Sequence, residues 1–304
     1  MHPRQPLPRA LGALAERQSG LLTTRQLLDG GLTRAVIGRM ARQWVSPAEG
    51  LHFLTEPCWL SAAWAGVLRG GDEAVLGEDA AAYLHDAVRD APSHIAVWTP
   101  ARRDPLDLGP WVVHYRRGVR SGRGSPSRTS VETSLLDLAR VNSEDGTVAA
   151  VARALAQGRT TPDRLVTAMD TRRATRHSTV IRDLCRQAGS GIESALEWRF
   201  HRQVLVPHRL PHPTRQVRSV VGRADCLYGW ARLVVELDGI RDHVEWSKDM
   251  ERDNARLILE GAVTLRYGWH AVAGDPCGVA AQLADALRPR GWDGVLRSCR
   301  RCAG

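Results

Sequence analysis

The order of apolar runs after residue 190 restricts the fold of this chain more than any other feature. A helical segment, Ser194-Ala-Leu-Glu197-Trp-Arg-Phe200, leads into a Pro-rich loop over 207–213. Three β-type runs follow, over 216–221, 224–228 and 233–238. A charged helical stretch over 246–260, a fourth strand over 262–267 and a closing helix over 278–287 complete an αβββαβα succession. Side chains alternate with period 2 in the strands and 3.6 in the helices, so each element has one face to bury. A small mixed sheet flanked by helices accommodates both kinds of face.

The strands carry carboxylates. In Val235-Glu236-Leu237-Asp238 the two acids are two apart, so on a strand they share a face away from Leu237. Asp225 lies eleven residues before Glu236, a separation that lets adjacent antiparallel strands set the two side by side. Clustered carboxylates in a half-buried sheet repel one another, at a cost on the order of several kcal/mol if left unpaired. A divalent cation is their natural compensation, which makes Asp225, Glu236 and Asp238 candidate metal ligands. Mg2+ suits that oxygen set, with Mn2+ as a substitute. Such a cation neutralises a phosphodiester and lowers the pKa of an attacking water.

Neighbouring residues extend this catalytic constellation. Glu197 could add a ligand or hold a metal-bound water, and His243, five residues past Asp238, could reach back as general base or phosphate contact. Arg252, on the charged helix, could stabilise developing charge. Each has a plainer alternative: Asp249 with Arg252 as a local ion pair, and His243 as a cap or packing group.

At the other end, Thr23-Thr24 can cap a short helix carrying Gln26, Leu27 and Leu28, Gly30-Gly31 forces a turn, and Thr33 opens a second helix over 34–42. Val36, Ile37 and Met40 give that helix an apolar face, leaving Arg34, Arg39 and Arg42 free for DNA. With β-like runs at Trp44-Val45 and Leu51-His-Phe-Leu54 as a wing, the pattern is a winged helix-turn-helix; the alternative is a helical packing module with solvated arginines. Residues 57–188 alternate helical and extended runs, with Trp64, Trp98 and Trp111 as core anchors. Asp104, His114 and Asp137 have no motif spacing and read as surface or satisfied polar groups.

A formal charge of +9 favours a polyanionic partner, nucleic acid above all. The basic side chains are nearly all arginine, Lys248 being the single lysine, a usage that reflects codon bias as much as function. No apolar stretch is long enough for a membrane span and the first residues lack an apolar signal core, so the expectation is a cytoplasmic protein with no membrane partner. Cys58, Cys185, Cys226 and Cys277 read as small buried groups, and Cys299-Arg-Arg-Cys302 as a pair without a second half to complete a tetrahedral metal site.

Two resemblances add to this reading. Gly20-Leu-Leu-Thr-Thr-Arg-Gln-Leu27, Gly31-Leu-Thr-Arg34 and the aromatic-containing wing resemble the winged-helix domain of the AbiEi-type antitoxins, which also carry a middle region similar to residues 57–188. The series Ser194-x-x-Glu197, Leu210-Pro-x-Pro213-x-x-Gln216, Gly222-Arg-x-Asp225, Glu236-Leu-Asp-Gly239-x-x-x-His243, Asp249-x-x-Arg252-Asp253-Asn254-x-x-Leu257 and Leu265-Arg-Tyr267 resembles bacterial proteins related to the very short patch repair (Vsr) endonuclease, within the restriction-endonuclease-like PD-(D/E)xK nucleases. That resemblance implies Asp225 and Glu236 as the two motif acids. Asp238 stands where the family carries lysine, so water activation falls to His243, although the spacer after Gly239 is one residue longer than usual.

The expected fold is therefore α/β and multidomain. A winged helix-turn-helix (1–56) precedes a middle α/β domain (57–188), a restriction-endonuclease-like αβββαβα core (189–293) and a polar tail (294–304). The resemblances imply a Mg2+-dependent DNA endonuclease or, alternatively, an antitoxin-type DNA-binding regulator whose nuclease-like domain is inactive. The AbiEi resemblance also leaves room for a homodimer or a toxin-like protein partner.

Overall fold

The computed structural model describes residues 7–187, 192, 194–238 and 244–302 and is mixed α/β. The chain forms two compact units that meet between Ser178 and Thr179 in sequence. Among the described residues, no helix is long and apolar enough to cross a membrane.

In the first unit, α1 (Arg9–Arg17), α2 (Thr24–Asp29) and α3 (Arg34–Met40) enclose Leu11, Ala15, Leu22, Leu27, Leu32 and Ile37. Thr23 opens α2 with a capping box: its hydroxyl accepts from the Gln26 N–H at 3.1 Å while Gln26 Oε1 accepts from the Thr23 N–H at 2.9 Å. Gly31, at φ +89°, supplies the left-handed step between α2 and α3. The second helix stops at Met40, and Arg42 lies in a 3-10 turn over Ala41–Gln43.

A two-stranded ribbon follows the helices. β1 (Leu21–Thr23) pairs antiparallel with β2 (Leu51–Phe53), and Val45 bridges Phe53. Alternation along β1 sends its neighbours into different cores: Leu22 joins the helical cluster, and Leu21 joins Leu51, Phe53 and the apolar face of α4 (Trp59–Gly70). That second core is floored by β3 (Val75–Leu76), β4 (His94–Thr99), β5 (Leu106–Asp107) and β6 (Val112–Arg117), in the order β3-β4-β6-β5. The helix sits so close to this sheet that a Cβ on Gly66 would fall 2.9 Å from Val113 Cγ1.

Four helices complete the unit: α5 (Glu78–Leu84), α6 (Val131–Val141), α7 (Glu144–Ala156) and α8 (Pro162–Asp170). Ser130, Ser143 and Thr161 cap the last three through their hydroxyls. Asp137 on α6 is 1% exposed and is satisfied by Arg120 at 3.1 Å and Arg172 at 2.8 Å. Trp64 and Trp111 pack on the second core as anchors, whereas Trp98 lies under the Arg120 guanidinium, 3.9 Å from its ring centroid. Asp104 is exposed, and His114 meets His94 at 2.9 Å.

The second unit contains α9 (Ser178–Gln187), α10 (Ala195–Arg199), a π-type turn over Phe200–Leu205 and α11 (Val206–His208). The helical run passes well beyond Phe200, its expected end. It does so through the π-type turn, whose wider ring leads directly into α11 and Pro207. Arg209, at φ +52°, ends the run.

Then come β7 (Thr214–Ser219), β8 (Gly222–Tyr228), β9 (Leu233–Asp238), α12 (Val244–Glu260), β10 (Val263–Gly268) and α13 (Pro276–Leu287). The sheet order is β10-β9-β8-β7; the first three strands form an antiparallel meander, and β10 pairs parallel with β9 after the α12 crossover. Leu233, Val235 and Leu237 face a core shared with Phe200, Val204 and Leu283.

The C-terminal segment corrects one expectation. Leu296 packs against the sheet core, as does Trp292 just before the polar tail, and the Arg297 N–H donates to the His208 carbonyl at 3.2 Å. Cys299-x-x-Cys302 is thereby not without a second half, since both thiols lie against His208 and Cys277. Cys277 is partly exposed and Cys58 exposed, not buried apolar groups as their type suggested. These partners are remote in sequence, so spacing could not reveal them.

Candidate functional site

The strand register of the second unit lines up a polar row across its sheet. Gln216 falls opposite Asp225, between the pairs Arg215↔Cys226 and Val217↔Ala224. Asp225 is one step beyond Cys226↔Val235 and so stands beside Glu236, which is itself paired in register with Arg266 on β10. The β8–β9 ladder stops at this point, and Asp225 Oδ2 takes the Leu237 N–H at 2.8 Å in place of a strand carbonyl. That bond fixes the Asp225 carboxylate at the place where the strands part.

Glu197 joins the row from α10. Ser194 caps this helix, its hydroxyl accepting from the Glu197 N–H at 3.1 Å, and Glu197 Oε2 accepts from Gln216 Nε2 at 3.1 Å. Glu197 is 7% and Glu236 8% exposed. The Cys226 thiol, next to Asp225 in β8 but turned into the apolar core, senses these charges. Burial first of all pushes its pKa up; Arg215 opposes this, and the negative charges of Asp225, Glu197 and Glu236 add to it.

Two arginines compensate the acids from behind. Arg256 on α12, 1% exposed, forms an ion pair with Glu236 and donates through Nη2 to the Arg223 carbonyl at 3.1 Å. Arg266 donates from Nη1 to Asp238 at 2.8 Å and grips Asp253 with Nε at 2.7 Å and Nη2 at 2.9 Å. Burial works against its charge, yet Asp253 and Asp238 hold its pKa above the usual arginine value. Part of the compensation assigned by sequence to a cation is thus supplied by guanidinium groups.

The expected site residues therefore divide. Asp225 and Glu236 stand side by side on β8 and β9, with Glu197 bonded to Gln216 in the same row, whereas Asp238 is drawn into the Arg266–Asp253 cluster. Arg252 is partly buried on α12, one turn before Arg256. Gly239 and His243 lie outside the described residues, as does the side chain of Asp249. In the first unit, Arg34, Arg39 and Arg42 are all exposed, with Ile37 buried on the inner side of α3. Arg256 escaped the sequence reading, and Arg266 entered it only within the motif Leu265-Arg-Tyr267, without a role; a signal for Arg256 was its i,i+3 spacing from Asp253, with which it pairs at 3.9 Å.

Burial, then the charge of Asp225, raises the Glu236 pKa above 4.5, against the pull of Arg256. A carboxyl with a raised native pKa binds more protons folded than unfolded, so its contribution to stability is present below pH 4.5 and lost as pH rises through the native value. The stability of the wild type relative to Glu236→Gln is accordingly expected to fall as pH rises from about 4 towards neutrality. Urea titrations of both proteins without divalent metal at a series of pH values measure this, and a difference that stays flat or grows would contradict the assignment.

Chemically, three acids and an amide converge at a strand divergence, with cationic groups alongside. A hard divalent cation and a phosphate oxygen are the ligands such an arrangement suits. No protein-family model matches the sequence, and no characterised protein is significantly similar to it.

Proposed function

We propose that this protein is a metal-dependent DNA endonuclease acting in the cytoplasm. The observation that carries the reading is the row Gln216–Asp225–Glu236 across the sheet, completed by Glu197 from α10. In this reading the second unit is a restriction-endonuclease-like domain, and the first combines a winged helix-turn-helix with an α/β region. Asp225 and Glu236 would hold Mg2+ or Mn2+, with Glu197 next to them. The oxygen donors and the raised proton affinity of Glu236 fit a hard cation. Bound there, the ion would supply charge neutralisation at the scissile phosphate and a more acidic water. Arg256 orients Glu236, while Arg266 restrains Asp238 and the α12 residue Asp253.

The test is incubation of the purified chain and its Glu236→Ala variant with supercoiled plasmid in Mg2+, Mn2+ or EDTA. The expected result is nicked and linear product that requires metal and disappears in the variant. A second reading, an antitoxin-type DNA-binding regulator, is favoured by one observation: Arg256 and Arg266 already compensate Glu236 and Asp238. Salt-sensitive DNA binding without cleavage by either protein would select it.

Both readings assign DNA contact to the exposed arginines at and just after α3. Replacing Arg39 and Arg42 together by alanine is expected to weaken binding across sequences. It should also lower the slope of log K against log salt by about 0.9 for each phosphate that the variant no longer neutralises. Fluorescence anisotropy on duplex DNA at several salt concentrations measures the slope; an unchanged slope would remove these residues from the interface.

A further inference from the structure

Four residues in the second unit, outside the carboxylate row, form a cluster of a different chemical kind. His208 ends α11, Cys277 lies in the first turn of α13, and Cys299 and Cys302 stand in the C-terminal segment. Their ligand atoms all lie within 4.8 Å of one another. The Cys277–Cys299 and Cys299–Cys302 sulfur separations are both 3.6 Å, and Cys302 Sγ is 3.5 Å from His208 Nε2. A tetrahedral ion with Zn–S of about 2.3 Å and Zn–N of about 2.0 Å needs edges of roughly 3.8 Å between sulfurs and 3.5 Å from sulfur to nitrogen. The observed separations match those edges and are far too long for a disulfide.

The surroundings prepare each ligand for metal. His208 is 1% exposed, and its Nδ1 lies 2.8 Å from the Val204 carbonyl, an acceptor, so Nδ1 carries the proton and donates. The Nε2 lone pair is thereby left facing the sulfurs. A backbone carbonyl on the remote ring nitrogen is the usual outer partner of a metal-bound histidine. At Cys299 the Arg301 N–H points to the sulfur at 3.3 Å, and the turn is closed by the Cys302 N–H donating to the Cys299 carbonyl at 3.0 Å. An N–H directed at sulfur favours thiolate over thiol. Three thiolates and a dication sum to one negative charge, and Arg202, Arg300 and Arg301 line the cleft beside Cys299 to balance it.

We infer that His208, Cys277, Cys299 and Cys302 bind one structural zinc ion that fastens the C-terminal segment to the sheet domain. Zinc follows from the ligand set, since soft thiolates with one imidazole in a tetrahedron select it over hard cations. Four protein ligands leave no open position for a substrate, so the ion serves folding. The site is independent of the nuclease reading and holds equally for the regulator.

The test uses the full chain purified under reducing conditions. Elemental analysis is expected to find one zinc per chain, retained by Cys185→Ser and lost from the Cys299→Ser, Cys302→Ser double variant. Cobalt added to the metal-stripped wild type should give the intense visible bands of a tetrahedral site with thiolate charge transfer. The His208→Cys variant should keep the metal and strengthen that charge transfer. Chelation with zinc-specific reagents should lower the melting temperature of the wild type, so the outcome does not hinge on whether a variant folds. A folded wild type that takes up neither zinc nor cobalt, or a double variant that binds as much as wild type, would overturn the assignment.

Discussion

Replacing Arg256 by alanine is expected to destabilise the second unit by about 3–5 kcal/mol, the usual cost of removing one partner of a buried ion pair. The guanidinium is 1% exposed and connects Glu236, Asp253 and the Arg223 carbonyl, so its removal loosens α12, β9 and β8 together. The larger part of the penalty comes from Glu236, which stays buried with its principal counter-charge gone. Two observations distinguish this from a simple packing defect. The penalty should shrink at acidic pH, where Glu236 is protonated, and the Arg256→Met, Glu236→Leu double variant should recover much of the stability. Urea denaturation gives both values; a pH-independent penalty, or a double variant no more stable than Arg256→Ala, would refute the pairing.

A comparable destabilisation, again about 3–5 kcal/mol, is expected in the first unit for Asp137→Leu. Its carboxylate has no exposed side-chain surface and takes Arg120 at one oxygen and Arg172 at the other, tying α6 to the segments after β6 and α8. Arg172 also donates to the Thr133 carbonyl at 3.4 Å and Arg120 lies over Trp98, so both guanidiniums are held in place when the acid is removed. They then face each other, and Arg140, Arg173 and Arg176, around a cleft of about 750 Å³. Added sulfate or phosphate is accordingly expected to restore part of the missing stability, and to do so more in Asp137→Leu than in wild type. Thermal melts across a phosphate series check this; equal stabilisation of the two proteins would contradict it.

What could be read from the sequence was mostly local. Thr23, Thr33 and Ser194 announce helix starts because a cap hydroxyl satisfies an N–H three residues away. The apolar alternation over Leu233–Asp238 marked β9, and it placed Glu236 on a face opposite Val235 and Leu237. Asp225 and Glu236 were legible because a meander brings neighbouring strands into register. The arginines that compensate them were not, because Arg256 and Arg266 reach their acids through a parallel crossover that no short-range pattern encodes. Distance in sequence hid the thiol cluster in the same way, Cys302 being 94 residues from His208. β1 was missed because three residues are too few to show a period.

β1 also sets a limit on how this chain can be taken apart. Leu21 and Leu22 are both fully buried, yet in separate clusters, so the strand is a party wall between the helical module and the α/β core. Cutting the chain near residue 56 would strip Leu21, Leu51 and Phe53 of their neighbours on α4 and leave an apolar face on each fragment. The helical module is thus no portable cassette. Grafted alone onto another protein it would carry that bare apolar face with it, and any exchange of this module has to bring the adjoining sheet along.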